Sequence, residues 1–129
     1  MELSLTGHRA LITGGSRGLG RAMAEAFAAA GADVAVVARD ESVLQETVAA
    51  LNDIRPSGKF IGISADVSDA AHVQRAHHET VEFFGPIDVL VNNAGTSNAQ
   101  PFLQVDDQNW MNDFNLKLFS AIRLCRLCI

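Results

Sequence analysis

The sequence predicts an α/β fold in which a parallel sheet carries helices on both faces, the first half of a doubly wound arrangement. Three observations predict it. Short apolar runs alternate with amphipathic stretches along the whole chain, the signature of repeated strand–helix units. The clearest run, residues 34–38, is continuously apolar rather than alternating, as a strand covered on both faces must be. A glycine-rich turn follows the first run. Right-handed crossovers then set the strand order 3-2-1-4.

Each element follows from its residues. Residues 8–13 (His-Arg-Ala-Leu-Ile-Thr) form a short, mostly apolar strand that ends in glycines. In residues 19–30, Ala22, Met23, Ala26, Phe27 and Ala30 recur at helical spacing. Gly31 then offers a stop, because glycine tolerates a positive φ. A second strand spans 34–38. A helix over 42–52 follows through Val43, Leu44, Val48 and Leu51, and Pro56-Ser57-Gly58 breaks it. The pattern repeats with a strand at 60–65, a helix at 69–84 stopped by Gly85-Pro86, and a strand at 87–91. After a Gly, Thr, Ser and Asn loop, a last helix starts near Asp106 or Asp107. It either runs on or restarts near Asp113, and continues to Ile129.

Composition narrows the function. The 129 residues suit one domain, 1–129, with one core. A net charge of −5 argues against nucleic acid as a partner. No apolar run nears the roughly eighteen residues that cross a bilayer. The N-terminal Met1-Glu2-Leu3-Ser4 lacks a basic-then-apolar leader pattern, so a cytoplasmic location is expected. Cys125 and Cys128, three apart on the last helix, are expected to pack as small apolar residues. His72, His77 and His78 fall on a helix without a completing ligand, so a solvated face is expected there and no metal site.

The chemistry lies in the turn Thr13-Gly14-Gly15-Ser16-Arg17-Gly18-Leu19-Gly20. A glycine loop between a strand and a helix lets backbone approach a phosphate, and the helix N-terminus offers free N–H groups and partial positive charge. Gly14 is expected to make the tight turn, Gly18 to clear room for a pyrophosphate, and Gly20 to let the helix pack close to the sheet.

The T-G-x-x-x-G-x-G spacing resembles the short-chain dehydrogenase/reductase family. Asn92-Asn93-Ala94-Gly95 after the fourth strand matches its N-N-A-G motif, and Asp66-Val67 stands where the family contacts adenine. Trp110 and Asn115 match its W-x(n)-N pattern leading into the long last helix. The resemblance spans the whole chain and implies an incomplete, three-layer Rossmann-like fold. It implies cofactor contacts from Gly14, Ser16, Arg17, Gly18, Leu19, Gly20, Arg39, Asp66, Val67, Asn93, Ala94 and Gly95.

The second strand ends in Ala38-Arg39-Asp40. An NAD site usually places an acid about 20 residues past the glycines, on the ribose 2′-hydroxyl. The resemblance puts neutral Ala38 at that position, with Arg39 next to it and Arg17 at the family's second basic position. A guanidinium grips a 2′-phosphate with two parallel bonds. NADP(H) is therefore expected, and NAD(H) stays possible because a one-residue shift would bring Asp40 to the ribose.

The family's reaction is hydride transfer between nicotinamide and a carbonyl or alcohol, with catalytic Ser and Tyr-x-x-x-Lys after a fifth strand. This chain holds no tyrosine and ends at Ile129. Of the catalytic group the resemblance leaves Asn115, which in the family holds a water in the proton relay. The expectation is an oxidoreductase whose cofactor half is inactive alone. A non-catalytic NADP(H)-binding or sensing module is the alternative. A methyltransferase would share the opening turn but would account for neither N-N-A-G nor the two arginines. The substrate of the full-length form would be a small carbonyl or alcohol, and Gln100-Pro101-Phe102 is a candidate wall of its pocket. In the last helix Phe114, Leu118, Ala121, Ile122, Cys125, Cys128 and Ile129 line one face, and Leu116, Phe119 and Leu127 add apolar surface elsewhere. Only one side can meet the sheet, and the fourth strand is left as a sheet edge. A homo-oligomer formed through this helix is expected.

Overall fold

The computed structural model describes residues 3–96 and 99–129. Met1 and Glu2 of the expected non-leader N-terminus, and Ser97 and Asn98 of the loop after the fourth strand, lie outside the described residues. Strands β1 (Arg9–Thr13), β2 (Asp33–Ala38), β3 (Phe60–Ser64) and β4 (Val89–Val91) pair in parallel in the predicted order, β3-β2-β1-β4. Leu11 stands opposite Ala35 on one side and Leu90 on the other, and Ala35 stands opposite Ile61.

Successive strand residues feed two separate cores, because their side chains point to opposite faces. Ala10, Ile12, Val34, Val36 and Phe60 pack under α1 (Gly18–Ala29) and α2 (Glu41–Ile54), against Ala24, Ala28, Leu44 and Leu51. Leu11, Ala35, Val37 and Ile63 face the other way, toward α3 (Ala70–Phe84) and the last helix, against Val73, Ala76, Phe84 and Leu124. The centres of the inner strands, residues 10–12 and 34–37, are apolar because both faces are roofed.

Side chains set the helix starts. Asp40 caps α2 by accepting the N–H groups of Ser42 and Val43, and Asp69 caps α3 through Ala71 and His72. Asp106 caps α4 (Asp107–Phe114) through Asn109. At the N-terminal ends of β2 and β3, Arg55 donates to the Ala28 and Ala32 carbonyls and to Asp33, 2.9 Å away, and stacks over Phe60. Asp33 also accepts the Lys59 N–H at 3.0 Å. This clasp joins the ends of α1, α2, β2 and β3 on the side of the sheet away from the glycine turn.

Two expectations about helix faces are corrected. In α1 the buried residues are Gly20, Ala24 and Ala28, whereas Ala22 and Ala26 are exposed. The smallest residues of the helix let it sit tightly on the sheet, with Met23 and Phe27 flanking. The C-terminal helix runs on without a break: α4 passes through a π turn (Asn115–Phe119) into α5 (Ser120–Cys128), all in right-handed helical backbone. The stripe meeting the sheet and α3 is Leu116, Ser120, Leu124 and Leu127. Phe114, Leu118, Ile122 and Ile129, from the larger apolar stripe, are exposed. A small residue at the centre of the inner stripe permits close approach, and the Ser120 hydroxyl is satisfied by the Leu116 carbonyl. Cys125, expected to pack, is exposed beside Asn92 Nδ2 at 3.6 Å; Cys128 is half-buried. Burial, with Cys125 nearby, raises the Cys128 thiol above its ordinary value.

Among the described residues no helix is long and apolar enough to cross a membrane, and no three His, Cys, Asp or Glu side chains gather as a metal cluster.

Candidate functional site

The C-terminal ends of the strands open onto a cleft of about 600 Å³. β1 lies between β2 and β4, whose connections leave in opposite directions, so the cleft sits at the sheet's topological switch point.

The first wall is the glycine turn. Gly14 and Gly18 adopt positive φ, +65° and +53°, which side-chain-bearing residues rarely do. A Cβ on Gly18 would meet nothing within 4 Å, so that position stands beside open space. A Cβ on Gly20 would strike the Gly14 carbonyl oxygen and come within 2.5 Å of Asn93 Nδ2. Gly20 therefore also lets α1 close onto the glycine turn and the Asn93 side chain. α1 begins at Arg17 with no side-chain cap and no acid in its first turn. The free N–H groups and positive end of its dipole are thus left to whatever occupies the site.

The opposite wall is tied to the turn by a residue the sequence reading passed over. The buried Thr13 hydroxyl, at the end of β1, accepts the backbone N–H groups of Asn93 and Ala94, both at 3.0 Å, and donates to the Val91 carbonyl at 3.4 Å. Asn93 Nδ2 adds a bond to the Gly14 carbonyl at 3.3 Å. A lone hydroxyl at the end of an apolar strand, directly before the glycines, was the available signal.

Arg17, Ala38, Arg39 and Asp40 form the cationic corner of the cleft. Arg17 Nη2 lies 3.5 Å from Asp40 Oδ2. The Ser42 hydroxyl and the Val43 N–H hold the Asp40 carboxyl below its ordinary value, with Arg17 adding to the effect. Asp40 is therefore committed to capping α2.

Ala65 and Val67 line the cleft after β3, but Asp66 does not. Its carboxylate turns to the Ser68 hydroxyl and N–H, at 2.6 and 3.0 Å. The Ser68 hydroxyl is the main cause of its lowered pKa, desolvation opposes it, and Arg39 contributes further. The Asp66 N–H donates to His72 Nδ1 at 3.0 Å, so His72 shapes this loop besides being exposed.

The cleft brings together Gly14, Ser16, Arg17, Leu19, Arg39, Val67, Asn93, Ala94 and Gly95 of the expected residues. Gly18 and Gly20 shape its turn without lining it. Asn115 is not a wall; it opens the π turn, and its neighbour Leu116 lines the cleft instead. Val37, Ala65 and Thr96 also line it and were not anticipated. Phe102 stands edge-on to Trp110, ring centres 6.3 Å apart, and is no wall of this cleft.

A family profile described as short chain dehydrogenase matches residues 8–129. L-xylulose reductase of Mus musculus is 34% identical over 127 residues, which cover 98% of this chain and 48% of that protein. L-sorbose reductase of Gluconobacter frateurii, solved with NADPH and L-sorbose, superposes with a TM-score of 0.95 at 33% identity, over 99% of this chain and 48% of that one. A short chain dehydrogenase of Burkholderia cenocepacia in complex with NADP gives a TM-score of 0.90 at 35% identity, over 96% and 50%. The chain spans about half the length of these relatives.

Proposed function

The chain belongs to the short-chain dehydrogenase family, and from that premise we propose that its cleft binds a nicotinamide dinucleotide, NADP(H) ahead of NAD(H). Residues 1–129 then act as the cofactor-binding portion of an oxidoreductase working on a small carbonyl or alcohol.

The observation that carries this reading is the uncapped N-terminus of α1 behind Gly14 and Gly18, opening on a cleft that also holds Arg17 and Arg39. Free N–H groups, a helix dipole and two guanidinium groups suit a ligand with a pyrophosphate and a further phosphate. The room left beside Gly18 fits the same group. In this reading Gly14, Ser16, Gly18, Leu19 and Gly20 cradle the pyrophosphate, while Arg17 and Arg39 take the 2′-phosphate. Val67, with Asp66 behind it, borders the adenine. Asn93, Ala94 and Gly95 floor the ribose and nicotinamide side. A bound nicotinamide supplies or accepts the hydride. The residues of this chain bind and orient it.

Asn115 is proposed to act on a proton relay that other residues complete. The chain has no tyrosine, and no other side chain in the cleft is a proton donor suited to carbonyl reduction at neutral pH. The 129 residues alone are therefore expected to turn over no substrate.

The test is a fluorescence titration of the pure chain with NADPH and, in parallel, NADH. Saturable binding that favours NADPH supports the reading. Binding of neither by a folded chain overturns it.

A further inference from the structure

Arg17, the cation expected to meet a 2′-phosphate, already has an anionic neighbour. Asp40 Oδ2 lies 3.5 Å from its Nη2, and both side chains line the same corner of the cleft. The carboxylate cannot easily swing away. Its Oδ1 accepts the Ser42 N–H at 3.0 Å, the Ser42 hydroxyl at 2.9 Å and the Val43 N–H at 3.3 Å, fixing it as the cap of α2. Arg17 and Asp40 stand at the N-caps of α1 and α2, so the starts of two helices bring an exposed cation to an anion held by hydrogen bonds.

We propose that Asp40 is a specificity-determining residue that competes, as a built-in anion, with the cofactor's 2′-phosphate for Arg17. The proposal rests on the cofactor reading of the cleft. A 2′-phosphate must replace Asp40 as the partner of Arg17 and must do so beside a carboxylate of like charge. A 2′-hydroxyl meets neither cost, and a carboxylate can accept its proton in a hydrogen bond. Asp40 thus narrows the preference that Arg17 and Arg39 create, and leaves a site that distinguishes the two nucleotides less sharply than two arginines would.

Asp40→Asn separates charge from capping, because asparagine caps helices about as well as aspartate and keeps an oxygen for the Ser42 and Val43 N–H groups. The intact chain is titrated calorimetrically with 2′-phospho-ADP-ribose and with ADP-ribose, which differ only in the phosphate. The expected result is that D40N binds 2′-phospho-ADP-ribose about two- to fivefold more tightly, the range for a solvent-exposed charge pair, with ADP-ribose unchanged. In an Arg17→Gln background the same substitution should give a smaller gain. An unchanged ratio of the two affinities overturns the proposal, as does an equal change in both, which would assign Asp40 to helix capping alone. A weaker grip on the 2′-phospho ligand also overturns it, because Asp40 would then be holding Arg17 in place for the phosphate. If the folded parent chain binds neither ligand, the cofactor reading itself fails and this inference with it.

Discussion

Thr13 Oγ1 lies 3.0 Å from the backbone nitrogen of Asn93, 80 positions further along the chain. The same oxygen takes the Ala94 N–H and donates to the Val91 carbonyl. One buried hydroxyl therefore sets the spacing between the glycine turn and the loop after β4, which are the two walls that any occupant of the cleft must touch. Strand pairing joins β1 to β4 only as far as Ile12 and Val91, so beyond that point this hydroxyl and Asn93 maintain the register.

Replacing Thr13 with valine keeps the shape and removes the oxygen, leaving two backbone N–H groups without their acceptor. Unsatisfied donors of this kind cost about 1–3 kcal/mol. Urea unfolding of Thr13→Val should show a loss in that range, and nucleotide affinity should fall with it. An unchanged midpoint would show that the loop finds other partners.

Gly20→Ala tests the close approach of α1 to its own turn. The new methyl would meet the Gly14 carbonyl oxygen, a backbone atom that cannot step aside without moving the turn. Overpacking of this order costs about 1–3 kcal/mol, despite the better helix propensity of alanine. Thermal unfolding of the variant should begin at a lower temperature. A gain in stability would mean that α1 is free to shift outward.

Asp66 gives a pH dependence of known sign. Its carboxyl lies below the ordinary value of 3.8 in the fold, chiefly through the Ser68 hydroxyl. Its stabilising contribution is therefore fully present above 3.8 and is lost as pH falls through the lower folded value. The stability difference between the parent chain and Asp66→Asn should be constant from pH 6 to pH 5 and should shrink below 3.8. A difference that persists unchanged into stronger acid would mean that the charge contributes nothing.

The outward face of the C-terminal helix exposes Met111, Phe114, Leu118 and Ile122, each at least 39% accessible. Contiguous apolar surface of this kind drives association, and the chain is expected to sediment above its monomer mass at micromolar concentration. Leu118→Glu with Ile122→Glu should shift it toward the monomer without unfolding it, because neither side chain belongs to the core. A parent chain that sediments as a clean monomer would count against this expectation.

The sheet was readable from sequence because every strand is an apolar run bounded by turn residues, and the crossover rule leaves one order for them. The glycine turn was readable for the same reason: its spacing and its place after β1 are local properties. Helix faces were less accessible. In α1 the alanines are so evenly spread that periodicity points to two faces at once, and Gly20 decides between them only through its contact with Gly14. In the C-terminal helix two apolar stripes compete, and the small Ser120 settles which one meets the sheet. The sequence marked Thr13 as a lone hydroxyl before the glycines but not its partners Asn93 and Ala94, and it marked neither end of the clasp of Arg55 on Asp33. Both join residues distant in sequence, and local pattern does not pair them. Asp40 was legible as a charge near the cofactor corner, but its duty as a cap turned it toward Ser42 and Val43.

Three of the helices, α2, α3 and α4, are capped by an aspartate of their own, and α1 has no side-chain cap. Its first amide protons meet no side-chain acceptor, and they should exchange with solvent faster than those of the capped helices while the cleft is empty. An anion seated there would slow that exchange and would add its binding free energy to the stability of the whole fold. Folding and occupancy are then two readings of one equilibrium: the chain leaves one helix end unfinished, and the ligand finishes it.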